Sequence, residues 1–307
     1  MNQTQQTLLT SRFASPHQLG LLYAFIGCLL FSLKPVLVKL AYQAGGDATS
    51  IMALRALSSL PLYLFTLLYL CRQSTTRRKI RQFGLPAAGI GIMGYYLASF
   101  LDISALAFIS AQLERLLIFL FPSFVVLISW VIHKQPPSRI VIIATAVGYA
   151  GTALILAHDF QTLGRSVTFG AALAVASAFV FAIYLVASKP LIGKLGSSLF
   201  TSIGMGSAGG AILVHLYISG AQMQNWSMEL ITIGVTLGII CTVLPSYFVA
   251  AAMARLSPTQ LSLTNNIGPA ITAIFAVLIL GELFTVWHAI GMILVIFSVV
   301  LINRSKN

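Results

Sequence analysis

The sequence predicts an all-α polytopic membrane protein, and three observations carry that prediction. Hydrophobic residues make up 58% of the chain and charged residues only 8%, whereas a soluble domain carries roughly 25% charged residues. Too little polar surface remains to cover a soluble core of 307 residues. Apolar runs recur from residue 19 almost to the end, and about 20 apolar residues cross a bilayer as a helix. The basic residues also concentrate in alternate loops, as they do around spans of fixed orientation.

Ten spans are expected, near 19–42, 48–71, 83–104, 108–132, 138–157, 167–188, 197–219, 229–252, 257–280 and 284–303. The first run, Leu19 to Leu40, follows a polar segment. It is too long for a signal peptide and lacks an A-x-A-like cleavage site, so it is expected to remain as a helix. Gly45-Gly46, Pro136-Pro137, Gly164, Gly196 and Ser257-Pro258 supply turn or helix-start chemistry between runs. With the N-terminus in the cytoplasm, thirteen of the 18 basic residues fall in inner loops, and one, Arg165, falls outside. The other four, Lys34, Lys39, Arg55 and Arg115, lie within spans. Both termini are then cytoplasmic, and the expected location is a bacterial cytoplasmic (inner) membrane. The formal charge of +12 reads as an orientation signal with contact to anionic headgroups. The expected partners are a small-molecule substrate and membrane lipids, with no nucleic acid. The chain is expected to act as a monomer or homodimer.

The two halves resemble each other. Ala107, Ser110 and Pro122 recur 147 residues later as Ala254, Ser257 and Pro269. Gly20, Phe31 and Lys39 recur 150 residues later as Gly170, Phe181 and Lys189. Five spans per half is an odd number, so the second copy enters the membrane inverted, an arrangement typical of secondary transporters. The blocks YYLASFLDISALAFISAQLERLLIFLFPSFVVLISWVI (residues 95–132) and ARLSPTQLSLTNNIGPAITAIFAVLILGELFTVWHAIGMILVIFSVVLI (residues 254–302) resemble the EamA group of the drug/metabolite transporter superfamily. The resemblance implies ten helices in two inverted five-helix repeats around a central cavity. It implies that helices 1, 3, 4, 6, 8 and 9 line that cavity, and that transport proceeds by alternating access without ATP. The expected division is a cytoplasmic segment, 1–18, a first repeat, 19–157, and a second, 167–303. Pro269 and Gly281-Glu282 sit where the family pattern puts them. The first repeat has Lys134-Gln135 instead, so the acidic residue is assigned no shared role.

Several motifs fail their context. GIGIMG (89–94) and GMGSAG (204–209) match G-x-G-x-x-G but lie inside spans, so they read as small residues for close helix packing rather than a dinucleotide site. No ATP-binding motif is present. Cys28, Cys71 and Cys241 read as buried small hydrophobes. The five histidines are scattered, with no pair at i, i+4. No catalytic constellation, metal or cofactor is expected, and the protein is not expected to be an enzyme.

Charges inside spans are the informative chemistry, because one at a helix centre costs about 2.5–3.5 kcal/mol. Lys34, Arg55, Asp102, Glu114 and Arg115 come from four spans and share one depth band, within roughly 12 Å of the outer surface. They leave one net positive charge, to which Lys39, nearer the surface, adds another. Adjacent helical residues point about 100° apart, so Glu114 and Arg115 are expected to meet different neighbours. Two readings stand: an ion-pair scaffold, preferred for Arg55 and Lys39 because both can snorkel, or a cavity lining formed by Lys34, Glu114 and Arg115. Pro35 beside Lys34 frees a backbone carbonyl. In the second half Leu261 and Ser262 replace Glu114 and Arg115, and Asn265 and Asn266 lie one turn deeper. Tyr95, Tyr96 and Tyr184 are hydroxyl candidates at mid-membrane depth. The candidate substrate-binding set is Lys34, Tyr95, Tyr96, Asp102, Glu114, Arg115, Tyr184, Asn265 and Asn266. Glu114 is also the candidate for proton coupling. A secondary carrier exporting small amino-acid-like or organic-anion metabolites is expected, against an uptake carrier, a passive channel or a non-transporting membrane protein.

Overall fold

The computed structural model describes residues 16–134, 136–221, 223–253, 255–256, 264 and 267–304. Its elements are all helical. The helices are α1 (Pro16–Gln43), α2 (Ala48–Leu70), α3 (Ser74–Ala105), α4 (Ala111–Ile132), α5 (Arg139–Leu163), α6 (Ser166–Leu195), α7 (Ser197–Ser219), α8 (Met228 to Met253), α9 (Gly268–Leu280) and α10 (from Val286 to Arg304). The first eight are long and apolar enough to cross a bilayer, and α9 and α10 contain shorter apolar helices. The chain is an integral membrane protein. A helix is the element that satisfies its own backbone in lipid.

Predicted boundaries shift at several ends. The basic run of residues 77–81 was expected in a loop, but it is the first helical turns of α3, where long cationic side chains can still reach the interface. Helix α5 runs on to Leu163, which brings His158 and Asp159 inside it. Glycine turns fall as expected: Gly45, Gly164 and Gly196 hold φ of +86°, +84° and +85°, backbone that side chains resist.

The halves interdigitate. Helix α1 packs on α8 and α9, α2 on α7 and α8, α3 on α6 and α7, α4 on α6 and α9, and α5 on α10. Lipid offers no hydrophobic drive between helices, so close approach depends on small residues. The two G-x-G-x-x-G stretches meet each other: a Cβ on Gly91 would lie 2.2 Å from Gly204 Cα. Gly151 and Gly291 do the same for α5 and α10, where that Cβ would lie 2.7 Å from the Gly291 carbonyl oxygen.

Helices α3 and α8 both depart from α geometry at their centres. A π-helical turn spans Ile92–Leu97 in α3 and Ile239–Val243 in α8. Their starts are separated by the same 147 residues that relate the sequence matches. In α8, Pro245 follows the turn and lacks a donor, while Thr242 Oγ1 donates to the Leu237 carbonyl at 2.9 Å. In α3, Gly94 accepts the ring of Tyr184, which a Cβ would approach to 2.3 Å. Such turns recur at functional sites.

Candidate functional site

The charged band assembles where α1, α2, α3 and α4 converge. Helix α4 starts at Ser110, whose hydroxyl accepts from Leu113 N, and it breaks at Phe119-Leu120 before Phe121-Pro122. The first piece carries Glu114 and Arg115. Helix α1 contains Pro35, which leaves the Phe31 carbonyl without its usual helical donor and seats Lys34 in a weakened turn. Helix α3 delivers Asp102 just beyond its π turn.

Lys34 Nζ donates to Asp102 Oδ2 in a charge-assisted bond. Asp102 and Glu114 are each 3% exposed. Their carboxyl groups face each other, and Asp102 Oδ1 and Glu114 Oε2 have no donor among the described residues. Two carboxylates cannot satisfy one another, because an ionised carboxyl only accepts; a proton placed between them satisfies both.

Arg115 points elsewhere, as the 100° turn requires. Its guanidinium lies 5.3 Å over the Phe119 ring and beside the start of α9, where a Cβ on Gly268 would come within 3.0 Å of Nη2. Arg115 Nε has no acceptor among the described residues. Ser32 Oγ donates to Cys28 O and Gly268 O, and Thr272 Oγ1 donates to Ser32 O. These bonds tie α1 to α9 beneath the guanidinium.

Arg55 corrects the sequence reading. It does not snorkel but is 9% exposed, donates to Ser99 Oγ at 3.0 Å and lies in the field of Asp102. A cavity of ≈ 20 Å³ borders it, with Ser59, Tyr95 and Thr242 in the wall. That is room for one water rather than a metabolite. Lys39 reaches the connection between α3 and α4, where Nζ donates to the carbonyls of Leu106 and Ile109 at 3.1 and 3.0 Å. A cation just past the C-terminal end of α3 complements the helix dipole.

The tyrosines divide. Tyr184 Oη donates to Tyr95 Oη at 2.8 Å, linking α6 to the π turn of α3. Tyr96 faces α7 instead, with Oη 2.9 Å from His215 Nδ1. Asn265 and Asn266 lie outside the described residues.

Sequence reasoning missed two features. Glu282, given no role, caps α4: its carboxylate accepts from Ala111 N at 2.8 Å, Gln112 N at 3.4 Å and Gln112 Nε2 at 3.2 Å. A carboxylate at a buried helix N-terminus satisfies orphan donors and the dipole together. The signal was the family pattern itself, read only within one repeat. The histidines, taken as scattered, do not all stay apart: His158 and His288 meet around Asp159.

Buried charge gathered between apolar helices, on a scaffold with paired π turns, defines a polytopic membrane protein with an internal polar site. The model of the EamA-like transporter family matches residues 18–157 and again 168–304, and the chain belongs to that family. It is 26% identical over 278 residues to the uncharacterized transporter YcbK of Bacillus subtilis, covering 89% of this chain and 88% of that one. It is 24% identical over 310 residues to the uncharacterized transporter sll1319 of Synechocystis, covering 94% of each. A protein of known crystal structure matches with a TM-score of 0.63 and 20% identity, over 92% of this chain and 95% of that one. That likeness shows the fold.

Proposed function

We propose that the protein is a secondary carrier that exports a small amino-acid-like or organic-anion metabolite by alternating access, without ATP or another cofactor, across a bacterial cytoplasmic membrane with both termini inside. The observation that carries this reading is the constellation of Lys34, Asp102, Glu114 and Arg115, in which both carboxyl groups are buried and the two cations are part-buried. Charges in a membrane interior are expensive and mark substrate or proton paths. Here three polar atoms, Asp102 Oδ1, Glu114 Oε2 and Arg115 Nε, lack partners among the described residues. A substrate carboxylate fits Arg115 and the positive N-terminal end of α9. Lys34 and Arg55 keep the surrounding field positive.

The carrier is built, in this reading, from two inverted five-helix repeats, with α9 and α10 as the ninth and tenth spans. Exchanged contacts support it. Gly20 of α1 packs on Leu256 after α8, and Gly170 of α6 packs on Ile109 after α3. Gly91 of α3 packs on Gly204 of α7, and Gly238 of α8 packs on Ser58 of α2. Each contact becomes its partner when the halves are swapped. A two-fold arrangement of this kind allows one half to rock against the other around a central site.

The Asp102–Glu114 pair supplies a coupling site. It can hold one proton when substrate is absent and release it to one side after the bundle reorganises. Proteoliposome assays test both parts. Amino acids and organic acids are screened by counterflow, with and without a pH gradient. Saturable exchange, accelerated by the gradient and abolished by Glu114→Gln, is expected. Flux linear in concentration removes the carrier reading, and saturable flux indifferent to the gradient removes the proton from the cycle.

A further inference from the structure

We propose that His158, Asp159 and His288 form a binding site for one divalent transition-metal ion of the zinc class, separate from the charged band. The three residues come from the end of α5 and the start of α10, and one ligand atom of each lies within 4.8 Å of the others. His288 Nε2 is 3.3 Å and His158 Nδ1 3.4 Å from Asp159 Oδ1. Bonds of about 2.0–2.1 Å in a tetrahedron place neighbouring ligand atoms about 3.3–3.4 Å apart. Two of the three spacings match that edge, and the third, within 4.8 Å, is left to rotation of the His158 side chain. Two imidazoles and one carboxylate oxygen suit zinc, cobalt or nickel better than magnesium or calcium, which take oxygen.

The surroundings have the features that metal histidines require. The second nitrogen of His288, Nδ1, accepts from Thr285 N at 3.4 Å and lies 2.8 Å from Thr285 Oγ1; when Nε2 turns to an ion the proton moves to Nδ1 and the hydroxyl accepts it. The other Asp159 oxygen, Oδ2, receives Ser110 Oγ at 3.1 Å. Partners of this kind fix ring orientation and carboxylate geometry. The His158 and His288 rings stand edge to face, 5.2 Å between centroids, so both can address one point. Asp159 and His288 side chains are each 4% exposed and His158 20%, so the cluster can be reached from the His158 side. In the absence of metal the imidazoles hydrogen-bond the carboxylate, and an ion displaces those bonds. Because Ser110 also caps α4, an ion here ties α5 to α10 and holds the start of the helix that carries Glu114.

The test uses full-length, tag-free protein in detergent, stripped with chelator and titrated with Co²⁺, Zn²⁺ or Mg²⁺. Expected are tetrahedral cobalt absorption bands saturating at one ion per chain, displacement by Zn²⁺ and no response to Mg²⁺. His158→Gln, at the accessible position, and His288→Gln should each weaken binding roughly tenfold or more, while Arg165→Gln on the following turn leaves it unchanged. Absence of the bands in the unaltered protein overturns the proposal without any variant. So does cobalt binding of equal strength in the unaltered protein and in monodisperse His158→Gln.

Discussion

Helices α3 and α8 share a backbone device and differ in chemistry. Each has a π-helical turn at its centre, and a serine lies beyond it at matching positions, Ser99 and Ser246. In α3 that serine accepts from Arg55, and Asp102 follows with its bond to Lys34. In α8 the serine pairs with Tyr63 Oη at 3.2 Å, and Val249 stands where Asp102 would. A common scaffold therefore carries charge on one side and hydroxyls on the other. The geometry of the turn is set by backbone and packing, while the polar partner is set residue by residue. An asymmetric site can form between two helices that share one backbone device for that reason.

Removing charge from one side should break this comparison most. Asp102→Ala leaves the Lys34 ammonium unpaired within the bundle, an expected loss of roughly 3 kcal/mol, read as thermal unfolding in detergent. Val249→Ala at the matching place removes only two methyl groups and should cost about 1 kcal/mol. Equal losses would mean that Asp102 is not holding a charge.

Packing at the turn comes next. Gly94→Ala drives a methyl into the Tyr184 ring and should cost about 2 kcal/mol. Gly89→Ala, on the same helix with nothing within 4 Å of the added atom, should be neutral or stabilising by up to about 1 kcal/mol. The pair separates a tight contact from helix propensity.

The Glu282 cap ranks third. Glu282→Ala removes the carboxylate that α4's first amides share and should cost about 1–2 kcal/mol. Glu282→Gln should retain part of that, and the difference between the two, measured by the same unfolding assay, isolates the charge.

The smallest effect sharpens the match between halves. Lys134 and Gly281 both end their helices in left-handed backbone, with φ of +54° and +67°, and they are 147 residues apart. Lys134→Gly should stabilise by up to about 1 kcal/mol and Gly281→Ala should destabilise by a similar amount. Opposite signs at equivalent positions would show that the turn is shared while its residue is not.

Much of this protein was legible in one dimension. The hydrophobic runs mark the long helices because lipid leaves the backbone few options. The 147-residue spacing linked positions that also share π turns and left-handed caps. Helical geometry alone separated Glu114 from Arg115, and the structure sends them to different helices. Other residues needed contacts. Arg55 has the length to reach an interface, and only the position of Ser99 turns it inward. Glu282 closes a helix in the other half, and His158 and His288 meet from the middle and the end of the sequence.

The sequence by itself determined the class, the spans and which residues had to be buried at a cost, because hydropathy and local turn chemistry act over a few turns of chain. Tertiary structure decided which buried polar groups meet and which remain without a partner. Those pairings depend on helix rotation and on glycine contacts between the halves, whose positions no local pattern specifies.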